Sequence, residues 1–223
     1  MTLPHPTTSR RGFTLIEILV VLAIIGILLV LSFPSMESVF RGSRLTQAGE
    51  HLRSQLVLAQ QNAANQNKSV EVHFYKFDDP DTVETAEYVT AYQIFLLKPN
   101  AQKPQSPTAA PELERIGGLQ KLPPGIGLAE NEKISSLLSQ KLWRDDPKDE
   151  VRGLVGKGST SLGYFAVQFR PDGSLALPSK DKWFLTLMSI DTLRTKKEEA
   201  PPDYICLQVD PDNGQVKWFA PNL

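Results

Sequence analysis

An α+β fold, with a long N-terminal helix laid against an antiparallel sheet, follows from three observations on this chain of 223 residues. Residues 13–33 form an apolar run interrupted by a single ionisable side chain. Residues 35–67 carry apolar side chains at close to a 3.6-residue period, the signature of an amphipathic helix. Beyond residue 67 the texture changes to short runs rich in β-branched and aromatic residues, bounded by turn residues. The bulk composition is ordinary: 41% apolar and 22% charged residues exclude a disordered or collagen-like polymer. Basic side chains number 24 and acidic ones 25, so no global field draws the protein to nucleic acid or anionic lipid. One cysteine, Cys206, cannot close a disulfide within the chain, and three histidines leave little material for metal or general-base chemistry.

The apolar run, Phe13 to Phe33, spans 21 residues and holds one ionisable side chain, Glu17. As a helix rising about 1.5 Å per residue it covers roughly 31 Å, enough for a bilayer's hydrocarbon core. A membrane span is therefore the first reading. A cleaved secretory signal is the rival, since Arg10 and Arg11 precede the run, but Ser32-Phe33-Pro34-Ser35 offers no small-residue exit site. A carboxylate at mid-span costs about 2.5 to 3.5 kcal/mol on insertion scales, and such residues usually mark function. Glu17 lies one turn from the start, where the cost is lower.

The stretch Arg11-Gly12-Phe13-Thr14-Leu15-Ile16-Glu17 resembles the type III signal of type IV pilins and type II secretion pseudopilins. The resemblance implies cleavage by a prepilin peptidase between Gly12 and Phe13, with methylation of the new amino terminus at Phe13. It also implies an assembly role for Glu17, and a bent or loosened helix at Pro34. Residues 1–12 would then be a leader, 13–33 the membrane and filament-core helix, and 34–67 the amphipathic half of the same spine. Losing Arg10 and Arg11 leaves 22 basic side chains against 25 acidic ones, a formal balance of −3. In the family's filaments one subunit's carboxylate meets a neighbour's terminal ammonium, because two charges in a low-dielectric core are tolerated only when matched. Arg10 and Arg11 on one side of the span against Arg41 and Arg44 on the other give only a slight charge bias. The cytoplasmic N-terminus and periplasmic head are therefore what the resemblance implies.

Along the spine, Leu45, Ala48, Leu52, Leu56, Ala59 and Ala63 line one face, with Gln47, Glu50, Ser54, Gln61 and Asn65 away from it. This stripe suits either the head's own sheet or a neighbouring spine. The head, residues 68–223, shows strand-like runs at Val70 to Phe77, Tyr88 to Leu97, Tyr164 to Phe169, Trp183 to Ile190, Tyr204 to Val209 and Val216 to Phe219. Asp212-Asn213-Gly214 is a hairpin signal and Pro171-Asp172-Gly173 a tight turn. Pro104, Pro107, Pro111, Gly117, Gly118, Pro123 and Pro124 predict an irregular insertion over about 98–160, with a short helix near Glu130 to Trp143. The Asn67 to Val72 stretch, the Phe169 to Gly173 turn and the closing Gly214-Gln215-Val216 hairpin are similar to the H-type minor pseudopilins. The whole pattern looks most like the Verru_Chthon cassette protein D subset.

Little in the head reads as chemistry. Cys206 sits in an apolar strand context and reads as a small core residue. His51 and His73 lack metal-site spacing and read as surface or helix-face residues. Gly153, Gly156 and Gly158 lack the lysine-serine ending of a phosphate loop. Calcium is the one cofactor to weigh, because major pseudopilins of the resembling family bind it; Asp78, Asp79 and Asp81, or Asp210 and Asp212, supply oxygens without the EF-hand pattern. Lys180, Lys182, Arg194, Lys196 and Lys197 form the densest basic patch, diluted by Asp181, Glu198 and Glu199. The expectation is a non-enzymatic filament subunit whose partners are the prepilin peptidase, other pilins or pseudopilins, an inner-membrane assembly platform and the bilayer. A separate ATPase must supply the energy for extraction. A DNA-binding minor pilin and a membrane-tethered enzyme stand behind it.

Overall fold

The computed structural model describes residues 13–76, 88–99, 111–145, 163–195 and 203–221; of residues 30–40 only the backbone is described. Helix α1 runs from Leu15 to Gln66 and its backbone is helical through Pro34. The chain divides into two compact units, Met1–Arg41 and Gly42–Leu223.

In the second unit, α1 ends where its sequence permits a reversal. Asn67 takes a φ of 50°, the N–H of Lys68 donates to the carbonyl of Ala63 and that of Asn67 to Ala64. This is a Schellman closure, and asparagine tolerates its left-handed residue better than most side chains do. Among the described residues the chain then forms nine strands: β1 (Val70–Lys76), β2 (Val89–Lys98), β3 (Glu112–Lys121), β4 (Ile126–Leu128), β5 (Trp143–Arg144), β6 (Tyr164–Phe169), β7 (Trp183–Ser189), β8 (Ile205–Val209) and β9 (Val216–Phe219). A short helix, α2 (Ile190–Thr195), follows β7. The strands form one antiparallel sheet ordered β5-β6-β1-β2-β4-β7-β8-β9, with β3 also paired to β2.

The predicted stripe on α1 is the core. Leu45, Ala48, Leu52, Leu56, Ala59 and Ala63 are all buried, and they cluster with Val70, Val72 and Phe74 of β1, Ile94 and Leu96 of β2, and Leu207 and Val209 of β8. The stripe thus serves the head's own sheet. Each fully buried leucine contributes about 1.5 to 3 kcal/mol. Gly49 has a packing reason as well: a Cβ there would lie 2.5 Å from the Trp218 ring and 2.9 Å from Ile205.

Two turns lock the far end of the helix. Gly173 and Gly214 both hold positive φ, and the Gln60 amide of α1 donates to the Asn213 carbonyl at 2.5 Å. A Cβ on Gly214 would collide with the Gly173 carbonyl, so the 210–215 hairpin and the 170–174 turn meet through glycine alone.

Three expectations need correction. The stretch from 98 to 160 is not uniformly irregular: β3, β4 and β5 lie within it. The helix foreseen at Glu130 to Trp143 is two single 3-10 turns, Ser136–Leu138 and Gln140–Leu142, because Leu137 and Leu138 are buried by a compact turn rather than along a helical face. His73 is not a surface residue but 1% exposed.

Candidate processing and assembly site

The N-terminal site is built from the start of α1. Thr14 precedes the first helical residue, and its Oγ1 accepts the Glu17 N–H at 3.3 Å, while its carbonyl accepts the N–H groups of Glu17 and Ile18. Threonine is therefore the N-cap and Glu17 occupies the third helical position, where an acidic side chain also favours the positive end of the helix dipole. The Thr-x-x-Glu spacing is a capping-box signature that sequence reading passed over. Gly12 lies outside the described residues; Phe13, the residue after it, is 78% exposed. From Phe13 to Leu29 every residue is exposed, Glu17 included, so large apolar side chains surround the carboxylate on a surface that the described residues leave uncovered. Among the residues with described side chains, no helix is long and apolar enough to cross a membrane; that description stops at Leu29, inside the 21-residue run.

The head holds a second polar constellation, on the sheet face opposite α1. Glu71, His73 and Tyr75 alternate along β1 with the core residues Val70, Val72 and Phe74. His73 Nε2 lies 2.8 Å from Glu71 Oε2, its Nδ1 lies 3.3 Å from the Tyr75 hydroxyl, and Arg144 of β5 donates to Glu71 Oε1 at 3.0 Å. The imidazole stacks on Tyr164 at 4.1 Å and tilts against Phe95 at 4.5 Å. Burial pushes the Glu71 carboxyl up, but the hydrogen bond and charge of His73, with those of Arg144, outweigh it and hold the group below the ordinary carboxylate value. The order Glu–His–Tyr is that of a proton relay, yet aromatic rings cover the imidazole and both its nitrogens are engaged. What joins β5 to β1 is the Arg144–Glu71 ion pair, which His73 backs from the other carboxylate oxygen. A second tie, the Tyr92 hydroxyl to His51 Nδ1 at 2.6 Å, joins β2 to α1.

The prokaryotic N-terminal methylation motif matches residues 7–33, covering Gly12, Phe13 and Glu17. At this motif the chain is similar to type IV pilin-like proteins. It is 33% identical over 93 residues to the competence protein ComGD of Bacillus subtilis (strain 168), an alignment covering 40% of this chain; the chain spans 65% of that relative's length. Two structures of the minor pseudopilin EpsH from the type 2 secretion system of Vibrio cholerae overlay on it. One covers 81% of this chain and 99% of EpsH at 11% identity with a TM-score of 0.40, the other 80% and 97% at 12% with a TM-score of 0.42.

The remaining candidates separate rather than converge. Cys206 is half-buried and points away from the core formed by its neighbours Ile205 and Leu207, so the core reading is corrected; burial raises its thiol pKa. Asp78, Asp79 and Asp81, the glycines at 153, 156 and 158, and Lys196 and Lys197 lie outside the described residues. Asp210 serves its own turn by accepting the Asp212 N–H, and Asp212 ties that turn to another loop by accepting the Ser179 hydroxyl. Among the described residues no group of three potential metal ligands gathers. Lys180 and Lys182 sit before β7 and Arg194 on α2.

Proposed function

We propose that this protein is a minor pseudopilin or pilin subunit of a type II secretion-like or type IV pilus-like filament. The observation that carries the proposal is the N-terminal block: a glycine-phenylalanine junction opening a 21-residue, predominantly apolar run, Phe13 to Phe33, with a single carboxylate, every residue of it with a described side chain exposed. In this reading a prepilin peptidase cuts between Gly12 and Phe13 and methylates Phe13. The subunit waits as a single-pass inner-membrane protein, N-terminus cytoplasmic and head periplasmic, and an assembly platform then packs its helix among those of other subunits. Burial of the exposed apolar side chains supplies the packing energy. Glu17 sets the axial register by meeting a neighbour's ammonium, since an unmatched charge in that core is expensive. Pro34 directly follows the apolar run, where loss of one ladder hydrogen bond eases a bend. No cofactor enters this mechanism.

Mass spectrometry of the N-terminus from native membranes tests it: a mature chain beginning with methylated Phe13 is expected, and an intact Met1 chain in cells with active prepilin peptidase overturns it.

One observation favours a second reading, that of a DNA-uptake minor pilin: the relative from Bacillus subtilis is named a competence protein. Lys180, Lys182 and Arg194 are the cations it would use. Salt-dependent retention of the full-length protein on DNA is its expected sign, and absence of retention at low salt removes it.

A further inference from the structure

The chain holds a single Asn-Gly step, Asn213-Gly214, and a single Asp-Gly step, Asp172-Gly173. The fold brings the two turns that contain them together: the N–H of Leu175 donates to the Pro211 carbonyl at 2.8 Å, and Gly214 lies against the Gly173 carbonyl. Asparagine before glycine suits a tight turn, because both accept positive φ. The same pair is chemically weak, since glycine has no side chain to keep its backbone nitrogen from the neighbouring carboxamide. In an open chain that nitrogen attacks Asn213 Cγ. The Gly214 N–Cγ bond forms, the Cγ–Nδ2 bond breaks, and Nδ2 leaves as ammonia, taking the Gly214 amide proton. Water then opens the five-membered succinimide at one carbonyl or the other, giving aspartate or isoaspartate.

Contacts in the folded head hold the reacting groups out of that geometry. Gly214 is buried and donates its N–H to the Asp210 carbonyl at 2.8 Å, so the attacking nitrogen is engaged. The Asn213 side chain is exposed, but its Oδ1 accepts the Gln215 N–H at 2.8 Å, which fixes the carboxamide. The Asn213 carbonyl, whose carbon becomes a ring member, accepts the Gln60 amide of α1 at 2.5 Å. Ring closure has to turn that carbonyl, so it requires the clasp to open.

We propose that Asn213 is a spontaneous deamidation site guarded by the docking of α1 on the 210–215 hairpin, so that a head left unclasped is chemically marked. The mark is lasting because isoaspartate routes the backbone through Cβ. That adds one carbon to a turn closed by the Asp210 N–H to the Gln215 carbonyl at 2.9 Å, and it displaces Gly214 where the Gly173 carbonyl leaves no room. The aspartate product keeps an acceptor for the Gln215 N–H but sets a third carboxylate beside Asp210 and Asp212. The proposal concerns the head alone and does not rest on the filament reading.

Ageing of the detergent-solubilised full-length protein at mildly alkaline pH, followed by mass spectrometry of the tryptic peptide that contains Asn213, tests it. Conversion is expected to be slow in the native protein and fast in guanidinium chloride. Native Gln60→Ala is expected to convert about two- to tenfold faster than the unaltered chain, the factor set by loss of one hydrogen bond to a local opening. Leu128→Ala, which truncates a core side chain of β4 that is 1% exposed, lowers global stability without touching the clasp and is expected to accelerate conversion less. Equal rates in native and denatured protein, an unchanged rate in Gln60→Ala, or a greater acceleration by Leu128→Ala overturns the guard. Brief proteolysis of aged Gln60→Ala is expected to leave the surviving intact chains depleted in isoaspartate; equal proportions in cut and intact chains overturn the lasting mark.

Discussion

The two halves of helix α1 meet opposite fates. From Phe13 to Leu29 the helix is apolar on all sides and exposed throughout; from Leu45 to Ala63 it is apolar on one stripe, and that stripe is fully buried. The second half finds its partner within the chain, on the sheet. The first half has the surface of a core element with no core among the described residues, and in the proposed reading lipid and then other helices cover it. Amphipathicity in one half and its absence in the other are thus two statements about where the covering surface comes from.

The sharpest break of that comparison is to truncate one residue in each half. Leu52→Ala removes a side chain that is 0% exposed and is expected to destabilise the head by about 2 to 5 kcal/mol, read as the midpoint shift in denaturant unfolding of the detergent-solubilised chain. Leu22→Ala, on a side chain that is 64% exposed, should leave that midpoint unmoved and reduce incorporation into filaments instead. A smaller loss follows from Gly49→Ala, whose methyl meets the Trp218 ring; about 1 to 3 kcal/mol is expected, and pairing it with Trp218→Leu should recover part of it.

The next effect is in pH. Glu71 has a folded-state pKa below its unfolded value, so its contribution is fully present above the ordinary value of 4.5 and lost as pH falls through the folded-state pKa. The native head should weaken on acidification over that range, and Glu71→Gln should flatten the acid limb of the stability profile while lowering stability at neutral pH. Glu130, paired with Lys76, is shifted upward by burial and opposes this trend, so Glu130→Gln should steepen the limb. The smallest effect on the head is that of Glu17→Ala, which is expected to leave its unfolding unchanged and still to insert, yet to assemble poorly. Normal filament incorporation of that variant would show charge pairing to be dispensable.

Much of this was legible in the sequence because burial imposes periodicity. The six stripe residues of α1 are the six that the 3.6-residue spacing named, and β6 and β9 begin and end where their β-rich runs do. What was illegible lacked that imprint. Strand β3 is mostly exposed, so Glu112 to Lys121 shows no alternation, and two adjacent glycines disguise it as a loop. Strands β4 and β5 are too short to carry a pattern. His73 misled for the opposite reason: both faces of β1 are buried, and polar residues on its second face satisfy one another instead of facing water. At the N-terminal site the chemistry lay in residue types, while the capping role of Thr14 needed backbone geometry to be recognised.

The clasp between Gln60 and Asn213 joins residues 153 positions apart, and Trp218 rests on Gly49 across a still longer interval. Contacts of such range form late, because the intervening chain must first be brought together. A newly made head therefore keeps its helical stripe partly bare until its final hairpin arrives, and whatever meets the chain before then meets an apolar surface.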